Sequence, residues 1–416
     1  MVCRMLEFKD LPYRFVPPKP NPFLISLSQW VIGKFALPSK RHLIQELEIR
    51  GKEIFQESCG RDANILLLPN HSTHSDPQVM SEVTRRLGLQ PSFMAAYDVF
   101  ARSRVQAWIM QRTGAFSVDR EGSDRKSMKC ATEVLVRGKH PLIVFPEGNV
   151  YFCNDQVAPF AEGASYIALS AQKKLGENHP VYAVPVSMKF TYVEDVREQL
   201  RSSLDELARR FETKLDSKVE FGLELLRIST TALERFLRQR GYSSSKQTAT
   251  VDEQIHNAAE QIITSLEEKI DIKSKPGSSL TDRVRRIRAT IHGIRIDPAR
   301  EVDHPAAALW ADEAILALRI LGYQGGYMAS NPTLDRVAET VARLREDVHS
   351  LTFPPAGKRR CIVQLGNPID LRERLEAFRS KARQTISGLT QDCEAAVQSG
   401  IDDINARNEA LGAQLF

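Results

Sequence analysis

Seven residues, Asn70-His71-Ser72-Thr73-His74-Ser75-Asp76, set two histidines and a carboxylate close together in the chain. A neutral imidazole held by a carboxylate is a general base, and a general base needs a proton to take. The string follows the apolar run Ile65-Leu66-Leu67-Leu68 and precedes Pro77 and a helical pattern. It therefore lies where a buried strand ends and a helix begins, which is where α/β proteins place chemistry. Two other readings of the same residues stand beside this one. Ser75 or Asp76 can cap the coming helix, with Pro77 at its first position and Ser75-x-x-Gln78 as a capping box. His71, His74 and Asp76 also spell a His-x-x-His-x-Asp string, as a metal-dependent hydrolase would use. No H-E-x-x-H spacing or second His/Cys cluster accompanies it, so no metal is expected.

Three further segments carry candidate groups. Gly114-Ala115-Phe116-Ser117-Val118-Asp119-Arg120 passes from a helix end into a strand or loop, and Arg120 enters the polar stretch Glu121-Gly122-Ser123-Asp124. An arginine there is either a solvated charge or a bidentate phosphate ligand. Leu142-Ile143-Val144-Phe145-Pro146-Glu147-Gly148-Asn149 is an apolar strand ending in a kinked, charged turn. Glu147 anchors that turn or meets a ligand, which Gly148 allows to approach closely. Pro185, in Ala183-Val184-Pro185-Val186-Ser187, suits a sheet edge or an interruption at a cleft.

These segments must be positioned by a framework. Ile65–Leu68, Ser92–Ala96, Leu142–Phe145 and Val181–Val186 read as strands. Val79–Leu87, Ser103–Thr113, Arg125–Arg137 and Ala164–Lys174 read as the helices between them. That alternation predicts an α/β domain with a mixed, largely parallel sheet flanked by helices. From Val193 to His349 the strand signal fades into helical periodicity, broken at Gly241–Ser245 and Lys275–Ser279. It returns at Cys361–Leu365, and a lone late strand must join an existing sheet. The expected organisation is thus an N-terminal segment over 1–45, an α/β domain over 46–192, a large all-helical insertion over 193–357, and a return strand with a C-terminal helix over 358–416.

Composition narrows the class. With 416 residues and a net charge of +5, the chain suits an anionic surface or phosphate-bearing substrates, and nucleic acid is not expected because no basic run is interleaved with aromatics. Six scattered cysteines without a C-x-x-C pair read as reduced thiols. Residues 21–37 are too short and polar to span a bilayer. Their Phe23, Leu27, Val31, Phe35 stripe predicts a helix packed on the core, or one lying on lipid with Lys40 and Arg41 behind it. The basic stretch Arg283, Arg285, Arg286, Arg288 is a solvated face or a contact for anionic lipid or an acidic carrier protein.

Taken in order, H-x4-D, G-x-F-x-x-x-R, F-P-E-G and V-P-V resemble the glycerolipid acyltransferase family over Leu66 to Ser187, with Gly366-Asn367-Pro368 matching a later strand. The resemblance implies an acyltransferase fold and an enzyme moving a fatty acyl group from acyl-CoA or acyl-carrier protein to a hydroxyl. The implied acceptor is glycerol-3-phosphate or a lysophosphatidate-like lysophospholipid. His71 would be the catalytic base and Asp76 its orienting carboxylate. Gly114, Phe116, Arg120, Phe145, Glu147 and Gly148 would bind the acceptor, and Pro185 would lie on the acyl-chain side. No cofactor beyond the thioester co-substrate is implied, and the setting would be cytoplasmic, peripheral to a membrane. One departure stands out: the third motif commonly continues to an arginine, and here Asn149-Val150-Tyr151 follows Gly148. A catalytically silent lipid-binding or scaffold protein on the same fold is the competing reading, against which the paired His71 and Asp76 argue.

Overall fold

The computed structural model describes residues 3–4, 13–59, 63–120, 124–216, 218–243, 250–275, 277–296, 304–323 and 325–416. Of the expected loop positions, 121–123, 244–245 and Pro276 lie outside these, as does most of 1–12. Two short strands, β1 (Cys3–Arg4) and β8 (Leu351–Thr352), pair antiparallel. Eight others form one sheet: β2 (Ile44–Arg50), β3 (Asn64–Pro69), β4 (Ser92–Ala96), β5 (Ala115–Val118), β6 (Leu142–Ile143), β7 (Val181–Tyr192), β9 (Arg359–Leu365) and β10 (Ile369–Asp370). Their order is β2-β9-β7-β3-β6-β4-β5, with β10 also on β7. All neighbours are parallel except β9 and β10 against β7. The chain divides into two compact units, one of Arg14–Val196 with Pro354–Leu415, the other centred on Arg197–Phe353.

In the first unit the sheet is covered on both faces, and β3 shows why its sequence is apolar at every position. Leu66 and Leu68 join one core with Leu135, Ile167, Leu389 and Val397. Ile65 and Leu67 join the other with Phe55, Val79, Met80 and Val83. A strand buried on both faces has no polar side to alternate with. The first core is roofed by α6 (Arg125–Arg137), α7 (Gly163–Leu175) and the C-terminal helix Ala382–Ala406; the second by α2 (Lys52–Cys59) and α3 (Asp76–Arg86). Gly400 lets the C-terminal helix reach β7: a Cβ there would run into the Ser187 hydroxyl, which donates to the Val397 carbonyl at 2.8 Å.

Pro185 is not at an edge. It lies on β7, flanked by β3 on one side and by β9 and β10 on the other, opposite Leu68. The ladder tolerates it because β10 pairs with residues 182–183 and β9 begins at Val186. The Pro185 carbonyl accepts from Gly366 N–H at 2.9 Å, so its donorless nitrogen faces the turn between those two strands.

The helix at residues 21–37 decides against one of its two expected placements, the one with the aromatic stripe packed on the core. It is α1 (Pro22–Val31), continued by a π-helical turn to Ala36. Phe23, Leu27, Val31 and Phe35 are exposed, together with Trp30, while Ile25 and Gln29 face inward. Gln29 decides the rotation, because its amide donates to Ser81 and Leu89 carbonyls and to the Thr84 hydroxyl.

The second unit carries α8 (Arg197–Arg210), α9 (Phe221–Gln239), α10 (Val251–Lys269), α11 (Leu280–Ile296), α12 (His304–Leu321), α13 (Gly325–Ser330) and α14 (Leu334–His349). Small and β-branched residues, Ala259, Ile262 and Ile263 against Ile287, Ile291, Ala314 and Ala317, bring α10, α11 and α12 together. Arg283 of the basic stretch is spent within this unit, where Glu260 and Glu267 bind it at 2.6 and 2.7 Å.

Candidate active site

Strand register sets the level at which each candidate residue stands. Leu67, Ile143, Phe93 and Ala115 are mutual partners across β3, β6, β4 and β5. His71 and Glu147 each lie four residues beyond that line, and Asp98 and Arg120 five. All four therefore emerge at the carboxyl ends of parallel strands, the crevice side of an α/β sheet.

The His71 imidazole presents Nδ1 to Asp76 Oδ2 at 2.8 Å. Asp76 is fully buried and accepts from Thr73 N at 3.0 Å and from the Thr73 hydroxyl at 2.8 Å. With both oxygens acting as acceptors, the carboxylate fixes the proton of the neutral ring on Nδ1. Nε2 is then the basic nitrogen, and no described residue hydrogen-bonds it. The His71 side chain is 17% exposed, enough for its outer edge to meet a substrate. Phe145 stacks on the ring with centroids 4.4 Å apart at 30°. His74 is exposed and turns edge-on to Phe152 at 5.4 Å.

Behind Asp76 stands a layer that local pattern does not reveal. Ser75 is the N-cap residue of α3, yet its side chain makes no capping bond, so the expected capping box does not form. Its hydroxyl instead meets His42 Nδ1 at 3.0 Å and accepts from Arg359 Nη2 at 3.0 Å. Burial first, then the charges of Arg41 and Arg359, push the His42 imidazole down to about 4. A neutral His42 can thus accept the Ser75 proton while Arg359 donates to the same oxygen, and the first turn of α3, which carries Asp76, is held in place.

Asn70 ties the end of β3 to β7: its amide donates to the Met188 carbonyl at 3.0 Å and accepts from Met188 N at 2.7 Å. Glu147 holds the next residue, accepting the backbone N–H of His71 at 2.8 Å and that of Ala158 at 3.3 Å. The loop bearing Ala158 is clamped in turn by Asn154 on Phe190, by the buried Asp155–Lys189 pair and by Gln398 on Val157. Glu147 therefore positions the base through the main chain.

Burial pushes the Glu147 carboxyl up to about 8, against the two backbone donors, with the Asp76 carboxylate adding to the rise. The folded chain holds this proton to higher pH than the unfolded chain, whose ordinary carboxyl value is 4.5. The stabilisation is complete below the unfolded value and is lost as pH rises through the folded one. Glu147→Gln is expected to flatten the fall in stability between those two pH values, read as the denaturant midpoint at a series of pH. An unchanged slope in the variant would exclude Glu147 as the titrating group.

Arg120 meets Asp98 Oδ2 at 2.9 Å, Asn149 Oδ1 at 3.0 Å and the Gly148 carbonyl at 3.4 Å. Gly148 turns the chain with φ +75°, and open space surrounds the position of its missing side chain. So His71, Asp76, Phe145, Glu147, Gly148 and Arg120 gather at one end of the sheet. Three expected binding residues do not join them. Gly114 lies at the opposite end of β5, where φ +87° and the Pro91 carbonyl, 2.8 Å from where a Cβ would stand, require glycine. Phe116 is fully buried in the core with Leu66 and Leu135. Pro185 is buried opposite Leu68, below the level of His71. Apolar character and a special backbone explain all three without a ligand.

Part of the chain is similar to known proteins. Residues 46–189 match the family described as Acyltransferase. Over 130 residues the chain is 32% identical to a 1-acyl-sn-glycerol-3-phosphate acyltransferase of Streptococcus pneumoniae (strain ATCC BAA-255 / R6), a match covering 31% of this chain and 45% of that protein. The chain thus spans less than half the length of this relative. The matched segment contains the strand-end histidine and carboxylate: residues 46–189 are similar to the Acyltransferase family and, in part, to this glycerolipid acyltransferase.

Proposed function

We propose that this chain is a glycerolipid O-acyltransferase, transferring a fatty acyl group from acyl-CoA or acyl-carrier protein to a hydroxyl of a glycerolipid acceptor. The observation that carries the reading is the His71–Asp76 pair, partly exposed and with Nε2 bonded by no described residue. Nε2 takes the proton of the acceptor hydroxyl as its oxygen bonds to the thioester carbonyl carbon. Asp76 offsets the charge of the resulting imidazolium. The tetrahedral intermediate then collapses, the C–S bond breaks, and the leaving thiolate recovers the proton from Nε2. The ester and free thiol are the products, and no acyl-enzyme forms. The pneumococcal relative, named for acylating 1-acylglycerol phosphate, supports the same acceptor class.

The reaction belongs at a lipid surface. Among the described residues no helix is long and apolar enough to cross a membrane. Phe23, Leu27, Trp30 and Phe35 on α1 and its continuation are exposed, as are Val105, Trp108 and Ile109 on α5 (Arg104–Arg112). Asn21 N and Lys19 N bond the Arg112 and Gln111 carbonyls, so the start of α1 is tied to the end of α5. Lys34 lies 5.2 Å from the Trp30 ring and Arg112 5.8 Å from that of Trp108, an aromatic and cationic edge that suits anionic headgroups.

The test is transfer of labelled acyl groups from either thioester to a panel of acceptors on anionic vesicles, with co-sedimentation measured in parallel. Transfer is expected, and Trp30→Glu with Trp108→Glu should abolish sedimentation. Vesicle binding without transfer from any donor would instead identify a catalytically silent lipid-binding protein.

A further inference from the structure

The end of β5 carries a feature that bears on which acceptor the site takes. Arg120 stands at the crevice end of the sheet, where an anionic headgroup could meet it, and three bonds already occupy its two terminal nitrogens. Nη2 is on Asp98 at 2.9 Å, and Nη1 is shared between Asn149 at 3.0 Å and the Gly148 carbonyl at 3.4 Å. The three partners come from separate strand ends: Asp98 from the first turn after β4, Gly148 and Asn149 from the turn after β6. Arg120 and Asp98 are 29% and 27% exposed, so the pair is open to a ligand rather than sealed in the core. Asp98 Oδ1 carries no hydrogen bond from the described residues. Lys126, a possible second cation for a phosphate, stands exposed on the first turn of α6.

A phosphomonoester dianion entering here would share the guanidinium with the Asp98 carboxylate already bound to it. Like charges at that range oppose binding, and no second guanidinium answers them, since position 149 is an asparagine. A headgroup carrying both signs meets no such conflict. Its anion can lie along Arg120 while its cation is received by the open oxygen of Asp98. Building on the acyltransferase reading above, we infer that the acceptor is a hydroxyl-bearing lipid with a zwitterionic headgroup, and that Asp98 and Asn149 are the residues that select it over a phosphomonoester. Specificity of this kind combines an attraction for one ligand with a repulsion of its competitor, and Asp98 supplies both.

Two measurements on the full chain separate this inference from the one beneath it. The first is competitive transfer from one acyl-CoA to equimolar lysophosphatidylethanolamine and lysophosphatidate in mixed micelles, with products resolved by mass. The wild type is expected to favour the zwitterion by about tenfold or more in kcat/KM. Asp98→Asn should erase that preference, and Asn149→Arg should reverse it. The second is equilibrium binding of the same two lipids to His71→Ala, which needs no turnover and should show the same order. Preference for lysophosphatidate in either measurement overturns the inference and leaves the acyltransferase reading intact. Selective binding of the zwitterion without transfer to any acceptor upholds the inference and removes the reading.

Discussion

Replacing His71 by alanine is expected to lower kcat by about 10²–10⁴-fold, the contribution of a positioned general base, while leaving the fold and acceptor binding in place. The fold should survive because the ring is held by one hydrogen bond and one stacking contact, and Glu147 holds His71 through its backbone N–H, which alanine keeps. Asp76→Asn tests the pair from its other side. Thr73 donates to both oxygens of Asp76. An asparagine can keep its oxygen where Thr73 N and Nδ1 both donate and turn its amide N–H to the Thr73 hydroxyl, so the ring stays oriented. What is lost is the negative charge that offsets the imidazolium formed when Nε2 takes the proton. A comparable loss in kcat with little change in KM is expected. Single-turnover rates from a saturating thioester check both variants. If His71→Ala keeps more than a tenth of the wild-type rate, the proton goes elsewhere.

The largest expected effect on stability comes from Lys189. Its side chain is 2% exposed and that of Asp155 6%, and the two form an ion pair inside the first unit, with Asn405 donating to the same Asp155 oxygen at 3.1 Å. Taking away one partner strands the other as a buried charge, which costs about 3–5 kcal/mol. That is a large fraction of the ~5–15 kcal/mol by which folded chains exceed unfolded ones. Lys189→Ala should therefore shift the denaturant midpoint of the α/β unit strongly. Lys189→Met combined with Asp155→Leu should recover most of the loss, because an apolar pair leaves no charge behind. A Lys189→Ala midpoint within about 1 kcal/mol of wild type would mean that water reaches Asp155. Activity should fall along with stability, since the Asp155 loop brings Ala158 N to Glu147.

The parts legible in the sequence were those written in local patterns. The unbroken apolar run at 65–68 marks a strand covered on both faces, and the helix over Arg125–Arg137 runs between the residues its periodicity indicates. The His71–Asp76 bond follows from five residues at a strand-to-helix junction. What escaped the pattern lies in contacts between distant residues or in half-exposed elements. Strand β2, Ile44–Arg50, alternates charges with apolar residues at a sheet edge and resembles a polar loop. Ser75 gives up its capping role to His42 and Arg359, far from it in sequence, so no spacing rule announces the exchange. Gly114 and Phe116 share a motif with Arg120, but a four-residue strand separates the glycine from the arginine and buries the phenylalanine. The stripe at Phe23, Leu27, Val31 and Phe35 has the spacing of a core face. A polar residue, Gln29, sets the opposite rotation because its amide finds three partners.

Strands β7 and β9 are antiparallel neighbours, with Tyr192 opposite Arg359, so residues 197–353 leave and re-enter the sheet one strand spacing apart. In topological terms residues 197–353 occupy the loop of a β-hairpin. Closing a loop costs entropy that grows only with the logarithm of its length, about 0.6 kcal/mol for each doubling. For the sheet, a turn of a few residues and an entire folded body are thus nearly equivalent ways to join the same two strands. This junction is therefore a point where the length of the connection can change at little entropic cost to the pairing of β7 and β9.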